Sequence, residues 1–345
     1  MTGNETVAEA AIRAGCGFYA GYPITPQNEL TAYMAKHMPL AKRVFIQAES
    51  EIAAISMVMG AAASGQRAMT TSSSPGISLK QEGISYLAGA QLPALIVNVM
   101  RGGPGLGNIA PAQSDYFQAT KGGGHGDYHC VVLAPWSVQE SYDLVFLGFD
   151  LADKYRAPCI ILTDGMLGQM MEPLQLSAIG SRPSVKKKPW ALSGCRGRKP
   201  NVVKSFYLQE GKLEQFNQVL QKKYQRIQRT EQRYQGLYLN DAQIILVAYG
   251  SMARIARSAV ESLRKKGKKV GLLRPITLWP FPTDIFEQLC KKKKQAPLRF
   301  FVTEMSFGQM VEDVKLAVNG RAPVGFFGRS GGGIPTEQEL LKEIA

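Results

Sequence analysis

Short apolar runs and helix-length segments take turns along most of this chain, and that rhythm limits the folds open to it. Within residues 17–165, "FYAGYPI", "RVFIQA", "RAMTTSS", "ALIVNVM", "CVVLAP" and "PCIILTDG" read as strands. The last two flank "SVQESYDLVFLGFDLADKYR", where Val138, Tyr142, Val145, Phe146 and Phe149 share one helical face. Strands that are apolar almost throughout, alternating with helices, predict an α/β fold with a parallel sheet covered on both faces. Residues 179–238 break the rhythm with Pro183, Pro189, Pro200, many basic residues and a polar helix, "LEQFNQVLQKKYQRIQRTEQRY". They read as a linker or helical excursion. Alternation resumes with "QIILVAYGS", a helix over Met252–Gly267, "KKVGLLRPI", "RFFVTEMS" and a last helix at "TEQELLKEI". The expected regions are therefore 1–178, 179–238 and a smaller α/β unit over 239–345.

With 345 residues there is room for two cores. Hydrophobic content of 45% and charged content of 20% describe an ordinary globular protein. No apolar run reaches the ~20 residues of a membrane-spanning helix, and "MTGNETVAEAAIRAG" lacks the pattern of an export signal. Cys16, Cys130, Cys159, Cys195 and Cys290 are scattered, with no C-x-x-C pair to suggest a cluster or structural zinc on this chain. A reduced, cytoplasmic location is expected. The formal charge of +14 is concentrated: 14 Lys/Arg face 3 acids between Arg182 and Arg233, and further runs lie at Lys265–Lys269 and Lys291–Lys294. Such surfaces suit nucleic acid, headgroups or an acidic protein, or are simply solvated.

Ligands of open α/β sheets collect at the carboxyl ends of strands. Four such ends are unusual here. In "FIQAESEIAAISMVMGAAASG", Glu49 and Glu51 stand between a strand and a helix of small residues. Ser50 suits a helix cap, and acids at a helix start gain about 0.3–1 kcal/mol from the macrodipole. The small residues equally let a flat ligand or another backbone approach, and a carboxylate pressed there loses hydration, as a working acid does. In "GYPITPQNEL", Pro23 and Pro26 stiffen a turn that presents Thr25, with Pro26 suited to open the next helix. In "NVMRGGPGLGNIAPAQSDY", Arg101 follows a strand directly and is the residue type for a bidentate grip on a carboxylate. "GPGLG" lacks the full G-x-G-x-x-G pattern of a dinucleotide site. In "KGGGHGDYH", His125 is a candidate proton carrier or part of a plain surface loop.

These segments, with "SSSPGISLKQEGISYLAGAQLP" and "DLADKYRAPCIILTDGMLGQMMEP", resemble the alpha subunit of 2-oxoacid:ferredoxin oxidoreductases, most nearly the 2-oxoisovalerate (3-methyl-2-oxobutanoate) branch. The 2-oxoglutarate branch typically carries "RGGPSTG" where this chain has "RGGPGLG". Members acting on 2-oxoglutarate or pyruvate, and a non-oxidative transketolase-like enzyme, are the alternatives. One departure is "GRSGGGIPT", whose third glycine tends to be larger in relatives.

The resemblance implies a pyrimidine-binding thiamine diphosphate domain over 1–178 and a transketolase-C-terminal-like domain over 239–345. It implies CoA-dependent oxidative decarboxylation of a branched-chain 2-oxo acid, with ferredoxin as electron acceptor. The active site would lie between chains. A beta subunit would carry the diphosphate, Mg2+ and a [4Fe–4S] cluster, with gamma and ferredoxin-like subunits completing the complex. The family motif assigns to Glu51 the hydrogen bond to the cofactor's pyrimidine nitrogen that activates it. Glu49, two residues away, would not share its helix face. By the same resemblance Thr25 contacts the substrate and Arg101 grips its carboxylate. No metal ligand is expected on this chain, no membrane partner, and a nucleic-acid role rests on the basic segment alone.

Overall fold

The computed structural model describes residues 1–176, 187–292 and 298–344. The expected boundary at 178–179, the basic residues Arg182 and Lys186, and Lys293–Lys294 lie outside them. In chain order the first part runs α1 (Gly3–Arg13), β1 (Phe18–Gly21), α2 (Asn28–Leu40), β2 (Val44–Gln47), α3 (Glu51–Ala63), β3 (Ala68–Ser72), α4 (Ser74–Gly89) and β4 (Ala94–Met100). It continues through α5 (Tyr116–Thr120), β5 (Val131–Leu133), α6 (Val138–Tyr155), β6 (Pro158–Asp164) and α7 (Gly165–Gln169). Then come α8 (Lys212–Thr230), β7 (Tyr234–Leu237), β8 (Ile244–Val247), α9 (Gly250–Lys265), β9 (Val270–Pro275) and β10 (Thr277–Trp279). The chain closes with α10 (Thr283–Lys292), β11 (Arg299–Glu304), α11 (Met310–Val318), β12 (Val324–Gly328) and α12 (Glu337–Ile344).

All six apolar runs of the first part are strands, and together with β10 they form one seven-stranded sheet in the order β10-β5-β6-β4-β3-β1-β2. Strands β3, β4, β5 and β6 are buried along their whole length, as their unbroken apolar character requires of a sheet covered on both faces. A second sheet has the order β12-β11-β8-β9-β7.

Two strands depart from the parallel rule. Strand β10 leaves the second unit to pair antiparallel with β5. Its Trp279 is buried and stacks on His129 at 4.5 Å. Strand β7, inside the segment read as an excursion, pairs antiparallel with β9. The same segment forms α8, whose Leu220, Tyr224 and Ile227 recur at helical spacing and are buried. Its basic residues divide. Lys188 pairs with Asp153 at 2.6 Å and Arg156 stacks on Trp190 at 4.5 Å, tying the segment to α6. Lys212, Lys222, Arg226 and Arg229 are exposed.

The two sheets are joined by polar contacts as well as by packing. Gln113 exchanges main-chain and side-chain bonds with Met305, its N–H to the Met305 carbonyl at 2.9 Å and its Oε1 accepting from the Met305 N–H at 3.0 Å. Its Nε2 donates to the Tyr249 carbonyl at 2.9 Å. Arg274 of β9, almost fully buried, grips Glu140 of α6 through both carboxylate oxygens at 2.8 Å.

Candidate functional site

The carboxyl ends of β4, β3, β1 and β2 stand side by side, because those strands are neighbours in that order. This brings Arg101, Ser72–Ser74, Thr25 and Glu51 to one edge of the sheet. Each is held by its own local rule. Ser50 caps α3, its side chain accepting from the Ala53 N–H at 3.2 Å. A cap of this kind contributes about 1 kcal/mol and sets Glu51 as the first helical residue. Glu51 is only 6% exposed. Among the described residues no donor hydrogen-bonds its carboxylate oxygens.

Space for that carboxylate comes from a glycine on the neighbouring helix. A Cβ on Gly76, in the first turn of α4, would lie 2.6 Å from Glu51 Oε1 and 2.1 Å from Ser72 Oγ. Gly83, two turns further on, lets α3 and α4 approach in the same way, since its Cβ would lie 2.5 Å from Ile55 Cγ2. The hydroxyls of Ser72 and Ser73 are buried without partners among the described residues. Ser74 is engaged: its Oγ donates to Asp115 at 2.6 Å and accepts from the Arg101 N–H at 3.0 Å. Asn98 Nδ2 donates to the same Asp115 oxygen at 2.8 Å. Burial pushes the Asp115 carboxyl up, with the Ser74 and Asn98 bonds opposing.

Arg101 and Thr25 meet. Arg101 Nη1 donates to the Thr25 carbonyl at 2.9 Å, and Nη2 donates to the Leu106 carbonyl at 3.1 Å. Those bonds use two of the five guanidinium donors. Nε is buried and has no partner among the described residues. The Thr25 hydroxyl accepts from Asn28 Nδ2 at 3.3 Å. Pro26 does not open α2, which begins at Asn28. The side chain of the fully buried Gln27 is drawn inward instead, accepting from Thr71 Oγ1 at 2.7 Å.

Two candidates fall away from this group. Glu49 is exposed. His125 is exposed and packs against Ser85 and Tyr86, beside a cavity of about 190 Å³ that is also lined by Phe216 and Asn217. Ser85 lies nine residues along α4 from Gly76, roughly 14 Å at the helical rise. The departing glycines, by contrast, do reach the region. The Gly331 carbonyl accepts from Asn108 Nδ2 at 2.9 Å, so the second unit supports the loop that follows Arg101.

Sequence reasoning passed over Gly76, Asp115 and above all Lys80. Lys80 of α4 is completely buried, and its Nζ donates to the Glu51 main-chain carbonyl at 3.2 Å. A signal was present: Lys80 falls on the helical stripe of Ile77, Ile84 and Leu87, where a lysine has no place unless it is paired.

Residues 9–235 match the family profile "Pyruvate flavodoxin/ferredoxin oxidoreductase, thiamine diP-bdg", and residues 242–340 match "Pyruvate:ferredoxin oxidoreductase core domain II". The ketoisovalerate oxidoreductase subunit VorB of Methanothermobacter thermautotrophicus is 52% identical over 346 aligned residues, covering 100% of this chain and 96% of that protein. The chain belongs to the 2-oxoacid:ferredoxin oxidoreductases. Another member, the 2-oxoglutarate synthase subunit KorA of Archaeoglobus fulgidus, is 39% identical over 91% of this chain and 90% of its own. A solved 2-oxoglutarate:ferredoxin oxidoreductase from Magnetococcus marinus superposes with a TM-score of 0.84 at 26% identity; this chain spans 64% of that one. A split-gene transketolase, at 13% identity and a TM-score of 0.61, shares the fold alone. In this 2-oxoacid:ferredoxin oxidoreductase chain, no described helix is long and apolar enough to cross a membrane.

Proposed function

We propose that this chain is the alpha-type subunit of a thiamine diphosphate-dependent enzyme that converts a branched-chain 2-oxo acid and CoA to acyl-CoA and CO2, passing electrons to ferredoxin. The observation that carries this reading is the buried Glu51 carboxylate, open to a donor above the Gly76 cradle. The protonated ring nitrogen of an aminopyrimidine is a donor that such a carboxylate suits, and the unpartnered Ser72 and Ser73 hydroxyls fit a polar heterocycle beside it. Thiamine diphosphate, when bound, supplies the carbanion chemistry that protein side chains lack. Glu51 holds a proton at the pyrimidine nitrogen and orients the ring. Arg101 keeps one unused N–H on each of Nη1 and Nη2 for the substrate carboxylate, and Thr25 lies beside it on the same edge. Leu106 and Ile109, 81% and 63% exposed on the loop that Arg101 holds, offer apolar surface to a branched side chain. The ketoisovalerate named for the VorB relative is a substrate of that kind.

We assign the diphosphate, Mg2+ and a [4Fe–4S] cluster to a beta-type partner, with gamma and ferredoxin-like subunits completing the complex. Among the described residues no group of three or more His, Cys, Asp or Glu could hold a metal ion. Ile52 and Leu79, each about half exposed on the two helices that frame Glu51, offer such a partner an apolar surface. The five cysteines are free, which suits the cytoplasm. The division into a pyrimidine-binding domain to residue 178 and a transketolase-C-terminal-like domain from 239 is part of the same proposal.

The test is to purify the chain alone and with its partner subunits, then measure thiamine diphosphate binding with Mg2+ and 2-oxo-acid-dependent dye reduction. Both should appear only in the complex. Turnover by the lone chain would overturn the split site. A complex that reduces dye with 2-oxoglutarate but with no branched-chain acid would overturn the substrate class.

A further inference from the structure

A lysine whose side chain is completely buried is rare, and Lys80 is buried beside the one carboxylate that the proposed chemistry needs. Its ammonium has three N–H donors. One reaches the Glu51 main-chain carbonyl at 3.2 Å, across 29 residues of sequence. The bond joins the middle of α4 to the first residue of α3. Yet the ammonium does not take up the Glu51 carboxylate, whose oxygens have no donor among the described residues. The arrangement therefore sets a positive charge near the carboxylate while leaving its oxygens open to a ligand. An ion pair made directly would have filled the place of the ligand's N–H.

Burying the carboxylate alone would be costly, and an opposite charge within about 4–6 Å offsets that cost. Glu51 acts on Lys80 in the same sense, raising its proton affinity against the effect of burial, which pushes the ammonium down to about 8. At neutral pH the side chain is still a cation. A charge kept for stability alone has no reason to be here, because an apolar side chain would fill the stripe between Ile77 and Ile84 without the desolvation cost.

We propose that Lys80 is a positioning residue for Glu51: its buried ammonium anchors the first turn of α3 and balances the carboxylate, so that the pyrimidine nitrogen meets an oriented, charged partner. The proposal rests on the reading of Glu51 as the cofactor's partner.

The test uses the complex assembled with its partner subunits and compares two ligands: thiamine diphosphate, and its analogue in which the pyrimidine N1′ is replaced by C–H. The ratio of their dissociation constants reports the Glu51–N1′ contact and is independent of turnover. Lys80→Met, which keeps the length of the stem, should lower the preference for thiamine diphosphate about tenfold, the scale of removing an opposite charge that acts on a carboxylate. Lys80→Gln should do the same, with both complexes assembled. The double variant Lys80→Met/Glu51→Gln should be no worse than Glu51→Gln, because Lys80 acts through Glu51. Equal weakening of both ligands by Lys80→Met and Lys80→Gln would mark a merely structural lysine and overturn the proposal. So would an unchanged ratio, or failure of both variants to assemble. If Glu51→Gln itself leaves the ratio unchanged, the reading of Glu51 fails first, and the Lys80 proposal falls with it.

Discussion

Arg101 Nη1 donates to the main-chain carbonyl of Thr25 at 2.9 Å, so the substrate candidate that follows β4 also holds the turn after β1 in place. Because the guanidinium joins two loops and keeps spare donors, Arg101→Lys should cost more than its conserved charge suggests. A charged hydrogen bond contributes roughly 1.5–3 kcal/mol, so KM for the 2-oxo acid should rise about tenfold or more. Steady-state kinetics of the complex checks this. Unchanged KM and turnover with every 2-oxo acid would remove Arg101 from the site.

Glu51→Gln keeps the shape of the side chain and removes its acid–base function, an effect of about 10²–10⁴-fold on turnover. Glu49 is exposed, and Glu49→Gln should leave turnover near that of the wild type. Equal effects of the two substitutions would contradict the assignment to Glu51.

Gly76→Ala probes the cradle without replacing a charged group. The new Cβ would meet Ser72 Oγ at 2.1 Å and Glu51 Oε1 at 2.6 Å, both of them ends of side chains that can swing away. The fold should therefore survive while the carboxylate is displaced. Thermal unfolding should change by a few degrees at most, and thiamine diphosphate binding to the complex should fall at least about tenfold. Normal binding would show that the carboxylate is not used in the position described.

Two lysines should give stability a pH dependence of one sign. Burial pushes Lys223 down to about 8, with the Arg156 charge adding to the effect, and it pushes Lys80 down to about 8 with Glu51 opposing. Below pH 8 folded and unfolded chains are both protonated at these sites, and the folded state bears the full cost of burial. Between about 8 and 10.5 the folded state sheds protons that the unfolded state keeps, so stability rises with pH. Urea unfolding at about pH 7 and about pH 9.5 should show the wild type gaining on Lys223→Met by on the order of 1–2 kcal/mol. A difference that stays constant across that range would refute the sign.

Gln113 clasps the two sheets through Met305 and Tyr249. Gln113→Leu would leave the buried Met305 N–H unpaired, at a cost of about 1–3 kcal/mol, and would take one of two donors from the Tyr249 carbonyl, which also accepts from the Ala253 N–H at 3.2 Å. The variant should unfold at a lower temperature, and limited proteolysis should cut it between the two units. Unchanged unfolding would mean that apolar packing alone joins them.

Residue order alone determined strands β1 to β6 of the first sheet, the Ser50 cap and the placement of Glu51 at a strand-to-helix junction. Those features obey periodicity and capping, which act over a few residues and leave their mark in the local pattern. Thr25 and Arg101 were legible as loop residues at strand ends, but their contact was not, since it depends on β1 and β4 standing on the same sheet edge with only β3 between them. Tertiary structure decided the rest. It sent β10 to the first sheet, moved His125 to the far half of α4, folded the basic segment back onto α6, and buried Lys80 against a carbonyl 29 residues away. A lysine reads as solvent-facing until the packing of two helices closes over it, and that packing is set by Gly76 and Gly83, whose role is visible only once α3 lies against them.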